Sequence, residues 1–178
     1  MSTWKLDPSH SDAEFCARHL MICGVRGLLH GISGTLEFDP AHPEQGAVEV
    51  AIEASTLSSG NPERDEHLKS ADFLDVANHP TLRFRSTGVT PTKNLTGTWA
   101  RVDGELTLRG IARPVTFAVS WAGPVKDPWK GNEHVGFTAA ATIDKRDFDM
   151  HWNADLADGL LIANEVAISI NVEFVREA

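Results

Sequence analysis

The stretch GAVEVAIEAS, residues 46–55, alternates apolar and polar side chains without a break. An extended chain places one set on one side of a strand: Val48, Val50, Ile52 and Ala54. The other side then carries Ala47, Glu49, Ala51 and Glu53. A side-chain period of two is typical of a β-strand with one apolar face. The stretch therefore predicts a sheet strand whose apolar side faces a core.

The same alternation recurs on both sides of this stretch. The further segments are SDAEFCARHL (11–20), GISGTLEFDP (31–40), TLRFRS (81–86), WARVDGELTLRG (99–110), RPVTFAVSWAG (113–123), GFTAAATIDK (136–145) and EVAISINVEFV (165–175). Turn-forming residues such as Gly, Pro and Asp separate many of them. Together they predict eight strands, and STWKLD (2–7) would supply a ninth if it pairs.

Helical signals are scarce. NPERDEHLKS (61–70) offers Asn61 as an N-cap, Pro62 at the first helical position and acidic residues near the positive end of the helix. HLMICGVRG (19–27) predicts a further single turn after the first strand. Because no long helix is available to cover a sheet, we expect an all-β fold: an antiparallel, eight-stranded sheet closed into a barrel, or a sandwich, with one or two short helices.

Size and composition favour one folded unit. The chain has 178 residues, of which 42% are hydrophobic and 23% charged, so it can bury a core without disulfides. We therefore expect a single domain over residues 1–178. No stretch approaches the roughly 18 consecutive apolar residues of a membrane-spanning helix, and the start MSTWKLDPSH lacks a signal-peptide pattern. A cytoplasmic location is the resulting expectation.

The net charge of the protein indicates which classes of binding partner are not expected. The formal charge is −9 and the isoelectric point is near 5.3. Nucleic-acid binding depends mainly on lysine and arginine displacing counterions from phosphates, so DNA and RNA are not expected partners. The two cysteines, Cys16 and Cys23, do not form a CxxC motif and are expected to be ordinary reduced thiols.

An eight-stranded barrel is either filled by its own side chains or holds one small ligand. Several inward positions carry small residues: Ala13, Ala17, Gly34, Ala54, Ala139 and Ala141. Small residues opposite large ones could leave a tube, although they would also fit the taper of a packed barrel. A tube lined by apolar side chains suits a long apolar guest, because each buried methylene contributes roughly 0.8 kcal/mol.

The residues expected to line this tube and contact a ligand share the inward face of a predicted strand. They are Phe15, Ala17, His19, Leu36, Phe38, Val50, Ile52, Leu82, Phe84, Leu106, Leu108, Phe117, Val119, Phe137, Ala139, Ile168 and Ile170. His19 is the one polar member, and it is interpreted as a hydrogen-bonded core histidine or as a partner for a ligand head group. A register error of one residue would invert any of these strands.

The run of ionisable residues in NPERDEHLKS supports two interpretations. In the first, His67 is a general base oriented by Asp65, Arg64 holds an anion, and the protein is a small hydrolase or isomerase acting on a lipid-like substrate. In the second, which we favour, the segment is structural. Neighbouring side chains on one helical turn diverge by about 100°, so these residues are poorly placed to converge. No catalytic residue is therefore assigned.

Cofactor and metal signals are weak. The sequence has no GxGxxG, Walker, GxSxG or HExxH motif, and no cofactor is expected. His10, His19 and His30 would cluster only if the first two strands pair, and they lack the close spacing typical of a metal site. No metal ligand is assigned, although a metal-binding stress protein stays an alternative.

Several longer stretches, taken together, resemble one family. They are LDPSHSDAEFCARHLMICGVRGLLHGISGTLEFD (6–39), RDEHLKSADFLDVANHPTLRFRST (64–87), VDGELTLRGIARPVTF (102–117), DKRDFDMHW (144–152) and EVAISINVEF (165–174). In this order they resemble the YceI-like family of bacterial polyisoprenoid-binding proteins. The sequence departs from the family pattern at Asp149, where glycine is usual, and at IANE (162–165), where a Gly-Asp turn is common. Both departures are expected in loops.

The resemblance implies a lipocalin-like, extended barrel. It implies that the barrel interior binds a polyisoprenoid, such as an isoprenoid quinone, or another long-chain lipid, and carries or sequesters it without catalysis. It also implies a homodimer, and peripheral contact with a membrane is compatible with such a role. The identity, length and head group of the ligand do not follow from the sequence.

Overall fold

A computed structural model describes residues 1–94, 97–156 and 159–177, and these are mainly β-structure. The strands are β1 (Ser2–His19), β2 (Cys23–Leu29), β3 (Ile32–Phe38), β4 (Ala47–Glu53), β5 (Thr81–Asn94), β6 (Gly97–Leu108), β7 (Ile111–Lys126), β8 (Glu133–Asp144), β9 (Asp155–Leu156), β10 (Gly159–Leu160) and β11 (Ile162–Arg176). The described helices are α1 (Pro62–Lys69) and short 3-10 turns at Pro43–Gln45, Ala54–Thr56 and Lys145–Phe148.

Eight of these strands close into an antiparallel barrel. Their order around the wall is β11, β8, β7, β6, β5, β4, β3 and β1, and β1 pairs back onto β11. Each neighbouring pair is antiparallel, as in β5–β6 and β6–β7. Closure satisfies the hydrogen-bonding edges that an open sheet would expose. The predicted all-β, eight-stranded barrel is thereby confirmed, and the sandwich alternative is wrong.

Strand β1 is long and serves two neighbours on one side. Its N-terminal part pairs with β3, with Lys5 opposite Thr35, and its C-terminal part pairs with β2, with Ala13 opposite Leu29. The β1–β11 register shifts between Asp7 and Asp12. The optional ninth strand STWKLD is therefore the first part of β1.

The helical turn predicted from HLMICGVRG is wrong over most of its length. Residues 20–22 form a tight turn, and the chain returns as β2. Leu20 and Met21 both have positive φ, at 52° and 58°, which lets the two strands meet in a short hairpin. Gly27 on β2 leaves room for the Phe15 ring, because a Cβ there would lie 2.3 Å from Phe15 Cε1.

The predicted parity of the strands is confirmed. Val50 pairs with Phe84 across β4–β5 and both line the interior, whereas the next pair, Ala51 and Arg83, has the opposite parity, although Arg83 at the start of β5 still borders the interior. The IANE departure is an exception to the loop expectation, because it begins β11 and Ala163 is buried there. The inward faces form the core, which includes Leu36, Leu82, Phe117 and Phe174.

Helix α1 follows its sequence signals. The Asn61 side chain accepts a hydrogen bond from the Arg64 amide, and Pro62 occupies the first turn, as predicted. Leu68 on the helix, with Phe73 and Leu74 just after it, packs against the core at one end of the barrel. Within the described ranges, no helix is long and apolar enough to cross a membrane.

Candidate functional site

The interior of the barrel is hollow rather than filled. A main cavity of about 640 Å³ lies at the end covered by α1. A second cavity of about 120 Å³, called the inner cavity below, lies on the other side of Phe84 and Phe117, towards Pro43, Gly46 and Ala47. The residues that line both are Val50, Ile52, Phe84, Phe117 and Ile170. A volume of 640 Å³ is within the range of small-molecule sites, roughly 300–1,000 Å³.

An aromatic pair forms the partition between these two cavities. The Phe84 and Phe117 rings meet edge to face, with centroids 5.0 Å apart. Gly104 allows this contact, because a Cβ at that position would lie 2.3 Å from Phe84 Cζ. The pair therefore narrows the barrel where the main cavity ends.

The small inward residues contribute unequally to the hollow. Ala13 and Ala17 line the main cavity, and Ala139 lines the inner one. Ala54 is fully buried without lining either cavity. A Cβ at Gly34 would meet the Glu49 carbonyl oxygen at 2.5 Å, so this glycine serves close strand contact. Small size alone was therefore an incomplete guide to the cavity.

All the predicted ligand-contacting residues border one of the cavities. Those on the main cavity are Phe15, Ala17, His19, Val50, Ile52, Leu82, Phe84, Leu106, Leu108, Phe117, Ile168 and Ile170. Those on the inner cavity alone are Leu36, Phe38, Val119, Phe137 and Ala139. Ligand binding by these residues stays a prediction, because the geometry establishes only where they lie.

The two cavities differ in polarity. Every residue that lines the inner cavity is apolar or glycine. The main cavity adds polar and charged residues near α1 and the β1–β2 turn: Glu14, Arg18, His19, Asn61, Glu63, Arg64, His67, Arg83 and Lys145. An amphiphile would therefore meet polar groups at one end only. Glu14, Arg18 and Arg83 were missed from the sequence because strand alternation assigns them to the outward face, and the α1 residues were missed because a helix shows no such alternation.

Lys145 is the most buried charged residue of this end. It is 3% exposed, and its Nζ donates hydrogen bonds to the carbonyl oxygens of Met150, at 2.8 Å, and Trp152, at 2.9 Å. Burial lowers the pKa of the Lys145 ammonium, and the nearby Asp144 carboxylate opposes that shift. Lys145 follows Ile143 at the inward spacing of GFTAAATIDK, but a charged side chain was not expected in the apolar interior.

The ionisable cluster on α1 has a structural arrangement. Asp65 Oδ1 accepts hydrogen bonds from the Ser59 amide, at 2.7 Å, and the Ser59 hydroxyl, at 2.5 Å, and these hydrogen bonds lower the Asp65 pKa. Arg64 donates from Nε to the Ser59 hydroxyl oxygen, at 2.7 Å, and from Nη2 to the Ser59 carbonyl oxygen, at 2.9 Å. His67 Nε2 lies 2.8 Å from Asp72 Oδ2 instead of Asp65. The predicted alternative in which Asp65 orients His67 is therefore wrong.

The His67 ring also packs against aromatic side chains. Its centroid lies 4.6 Å from that of Trp152 and 5.1 Å from that of Phe73, both edge to face. His67, Phe73 and Trp152 all line the main cavity. These ring contacts hold His67, Phe73 and Trp152 together as a cover over the end of the barrel near α1.

Two histidine expectations need correction. His19 lies exposed at the end of β1, so the interpretation as a buried core histidine is wrong, although the residue still borders the cavity. The His10–His19–His30 cluster does not form. In the described part of the chain, the one group with metal-ligating spacing is Asp7, His10 and Glu173. There Asp7 accepts a 2.9 Å hydrogen bond that raises the His10 pKa.

Comparisons with known proteins agree with this architecture. The YceI-like domain family matches residues 4–174. A UPF0312 protein of Azotobacter vinelandii is 36% identical over 168 residues, covering 94% of this chain and 83% of that relative. A UPF0312 protein of Pseudomonas aeruginosa is 33% identical over 176 residues, covering 98% of this chain and 87% of the relative.

Solved structures share the fold. The crystal structure of BcnA from Burkholderia cenocepacia superposes with a TM-score of 0.80 at 22% identity, covering 94% of this chain and 98% of that one. A polyisoprenoid binding domain from Saccharophagus degradans, implicated in plant cell wall breakdown, gives a TM-score of 0.68 at 13% identity and covers 99% of this chain and 100% of that one. The match over nearly the whole chain confirms the resemblance noted from the motifs. This chain belongs to the YceI-like domain family.

Proposed function

We propose that this protein binds a polyisoprenoid, such as an isoprenoid quinone, or a similar long-chain amphiphile inside its barrel and carries or sequesters it without catalysing a reaction. The observation that carries the proposal is the apolar hollow of about 640 Å³ within a closed barrel. Membership of the YceI-like family supports it, as does the structural similarity to a polyisoprenoid binding domain.

The volume suits a chain of moderate length. At roughly 30 Å³ per group, the space a water molecule takes in the liquid, the main cavity holds on the order of twenty methylene-sized groups. Burying that many groups contributes about 16 kcal/mol at roughly 0.8 kcal/mol each. Association costs about 4–15 kcal/mol in lost freedom of motion, so affinity remains without extensive polar contacts.

The polarity of the lining orients the guest. The head group lies near α1, where Arg64 and Lys145 border the main cavity. The tail extends towards Phe84 and Phe117, where the lining becomes apolar. The reverse orientation would leave the buried Lys145 ammonium against hydrocarbon, which is unfavourable.

The β1–β2 turn provides a contact for loading. Leu20, Met21 and Ile22 are consecutive and 41%, 52% and 80% exposed, beside the cavity residues Arg18 and His19. Leu20 also donates its amide to the Leu161 carbonyl, and Leu161 lines the cavity. Three exposed apolar side chains at the rim fit shallow, peripheral insertion into a bilayer, from which a lipid would be collected.

Organic extraction followed by mass spectrometry tests the proposal. We expect up to one equivalent of a long-chain lipid from the purified protein, and saturable, stoichiometric binding of geranylgeraniol after delipidation. Ala17→Trp should reduce occupancy, because Ala17 lines the main cavity. Ala118→Trp is the matched control, since Ala118 is exposed on β7. A folded, delipidated barrel that binds no prenyl lipid would refute the carrier function, and turnover of the bound lipid would favour an enzyme.

The proposal extends to the protein's surroundings. We propose that residues 1–178 are one lipid-binding domain that forms a homodimer in the cytoplasm. Cys16 and Cys23 are both free thiols, which fits a reducing compartment. Light scattering of the purified protein would test the dimer, and fractionation of cells that express the native gene would test the location.

A further inference from the structure

Within residues 1–94, 97–156 and 159–177, the Lys145 ammonium has fewer hydrogen-bond acceptors than N–H donors. A lysine ammonium carries three N–H donors. The described residues accept two of them, through the carbonyl oxygens of Met150 and Trp152. Lys145 is 3% exposed and borders the main cavity. The remaining donor is therefore available to a group that enters the cavity.

Among the side chains that the structure describes, none supplies an anion paired with the Lys145 ammonium. Its neighbour Asp144 binds Arg146 instead, with Nη2–Oδ2 and Nε–Oδ1 distances of 2.6 and 3.0 Å. In the part of the chain that the structure describes, no carboxylate lies within 4.0 Å of Lys145 Nζ. A buried charge without a counter-ion is unfavourable, and a ligand that supplies the opposite charge removes that penalty.

The surrounding charges favour an anionic ligand. Arg64 lines the same cavity, and its hydrogen bonds end on neutral oxygens of Ser59. Of the acidic residues that border the cavity, Glu14 lies 3.6 Å from Arg26, and Glu63 is exposed in the first turn of α1. The end of the main cavity near α1 is thus rich in positive side chains, although the protein as a whole has a net charge of −9.

We propose that the guest has an anionic oxygen head group, a carboxylate or a phosphate, that accepts the third N–H of Lys145. The inference rests on the proposed carrier function and names the chemical class of its ligand. A hydrogen bond between two charged groups is stronger than one to a neutral oxygen, so a prenyl phosphate or prenoic acid binds more tightly than the matching alcohol. The tail then lies along the apolar faces towards Phe84 and Phe117.

The test compares guests with the same tail and different heads: geranylgeraniol, geranylgeranyl phosphate and geranylgeranoic acid. We expect the wild-type protein to bind at least one anionic guest about tenfold more tightly than the alcohol, which corresponds to about 1.4 kcal/mol. Lys145→Met should bring this ratio close to one while leaving alcohol affinity within about threefold. Lys145→Arg should keep the preference. Lys5→Met, which removes an exposed cation on β1, should not alter the ratio.

The outcomes separate the head-group inference from the carrier function. Equal wild-type binding of alcohol and anions would overturn the inference and leave the carrier intact, whereas binding of none of the three would overturn both. A preference that survives Lys145→Met would overturn the role of Lys145. If Lys145→Met does not fold, the wild-type protein labelled with ¹⁵N-lysine decides. The Lys145 Nζ signal should shift with an anionic guest, and an unchanged signal would refute the contact.

Discussion

Replacing Phe117 by alanine should join the two cavities and lengthen the preferred guest. The Phe117 side chain is 3% exposed and meets Phe84 at the partition. The inner cavity of about 120 Å³ adds space for about four methylene-sized groups at roughly 30 Å³ each. The truncated ring frees space for about six more carbons at the same scale. The length of the prenyl chain that binds most tightly should therefore increase by about two isoprene units.

The same substitution carries a stability cost. Truncating a buried phenylalanine destabilises a protein by about 3–5 kcal/mol. For a domain of this size, each kcal/mol lowers the melting temperature by about 2–4 °C, so a decrease of about 6–20 °C is expected. A longer guest should recover part of that loss, because a ligand that binds only the folded state stabilises it.

A competition assay with prenyl alcohols of three to eight isoprene units measures the shift. The wild-type optimum is expected near four units, and that of Phe117→Ala near six. Phe137→Ala is the matched control, because Phe137 lines the inner cavity alone and its loss keeps the Phe84–Phe117 partition. Identical length profiles for the wild-type protein and Phe117→Ala would refute the reasoning, as would an equal shift in Phe137→Ala.

Other perturbations test separate parts of the structure. Asp65→Ala and His67→Ala should each lower the melting temperature but leave lipid occupancy per folded molecule intact, because Asp65 binds Ser59 and His67 binds Asp72. A loss of occupancy at unchanged stability would instead assign these residues to the lipid-binding site. Asp149→Gly should raise stability by up to about 1 kcal/mol in urea unfolding, since Asp149 has φ of 60° and glycine adopts positive φ without strain. Hydrogen bonds from Arg146 lower the pKa of the Asp144 carboxyl below its ordinary value of 3.8. The ionised Asp144 therefore stabilises the fold above about pH 4, and this stabilisation disappears as the pH falls through the lowered pKa. The melting temperature should therefore decrease in acid, and less steeply in Asp144→Asn; parallel curves would contradict this. Ile22→Ser should slow transfer of a fluorescent prenyl lipid from vesicles without changing its equilibrium affinity, and an unchanged transfer rate would exclude the turn from loading.

Strand alternation predicted the wall of the cavity because side-chain direction in a strand has a period of two. Val50, Phe84 and Ile170 were all assigned inward, and all border the cavity. Alternation gives direction but not depth along the barrel axis. His19 shows the difference, since it has inward parity yet lies exposed at the end of β1.

Strand alternation does not predict the residues that cover the end of the cavity. Met150 and Trp152 belong to the coil after a short 3-10 turn, where no repeating pattern predicts the orientation of a side chain. Whether the core is filled or hollow depends on how the rings of Phe84 and Phe117 meet, which is a property of packing in three dimensions. The motif resemblance, by contrast, identified the family because it compared whole segments.

Strand β2 is a weakly paired part of the barrel wall, and its free side is called the seam below. Strand β2 is hydrogen-bonded along β1, but on its other side the described residues supply only the Leu28–Ser58 bridge. Backbone amides without a second strand exchange readily with water, and such segments open at low free energy. Local unfolding at this seam would let a branched prenyl chain enter through the side of the barrel. Exchange of the lipid would then not require α1 to move away from the barrel end.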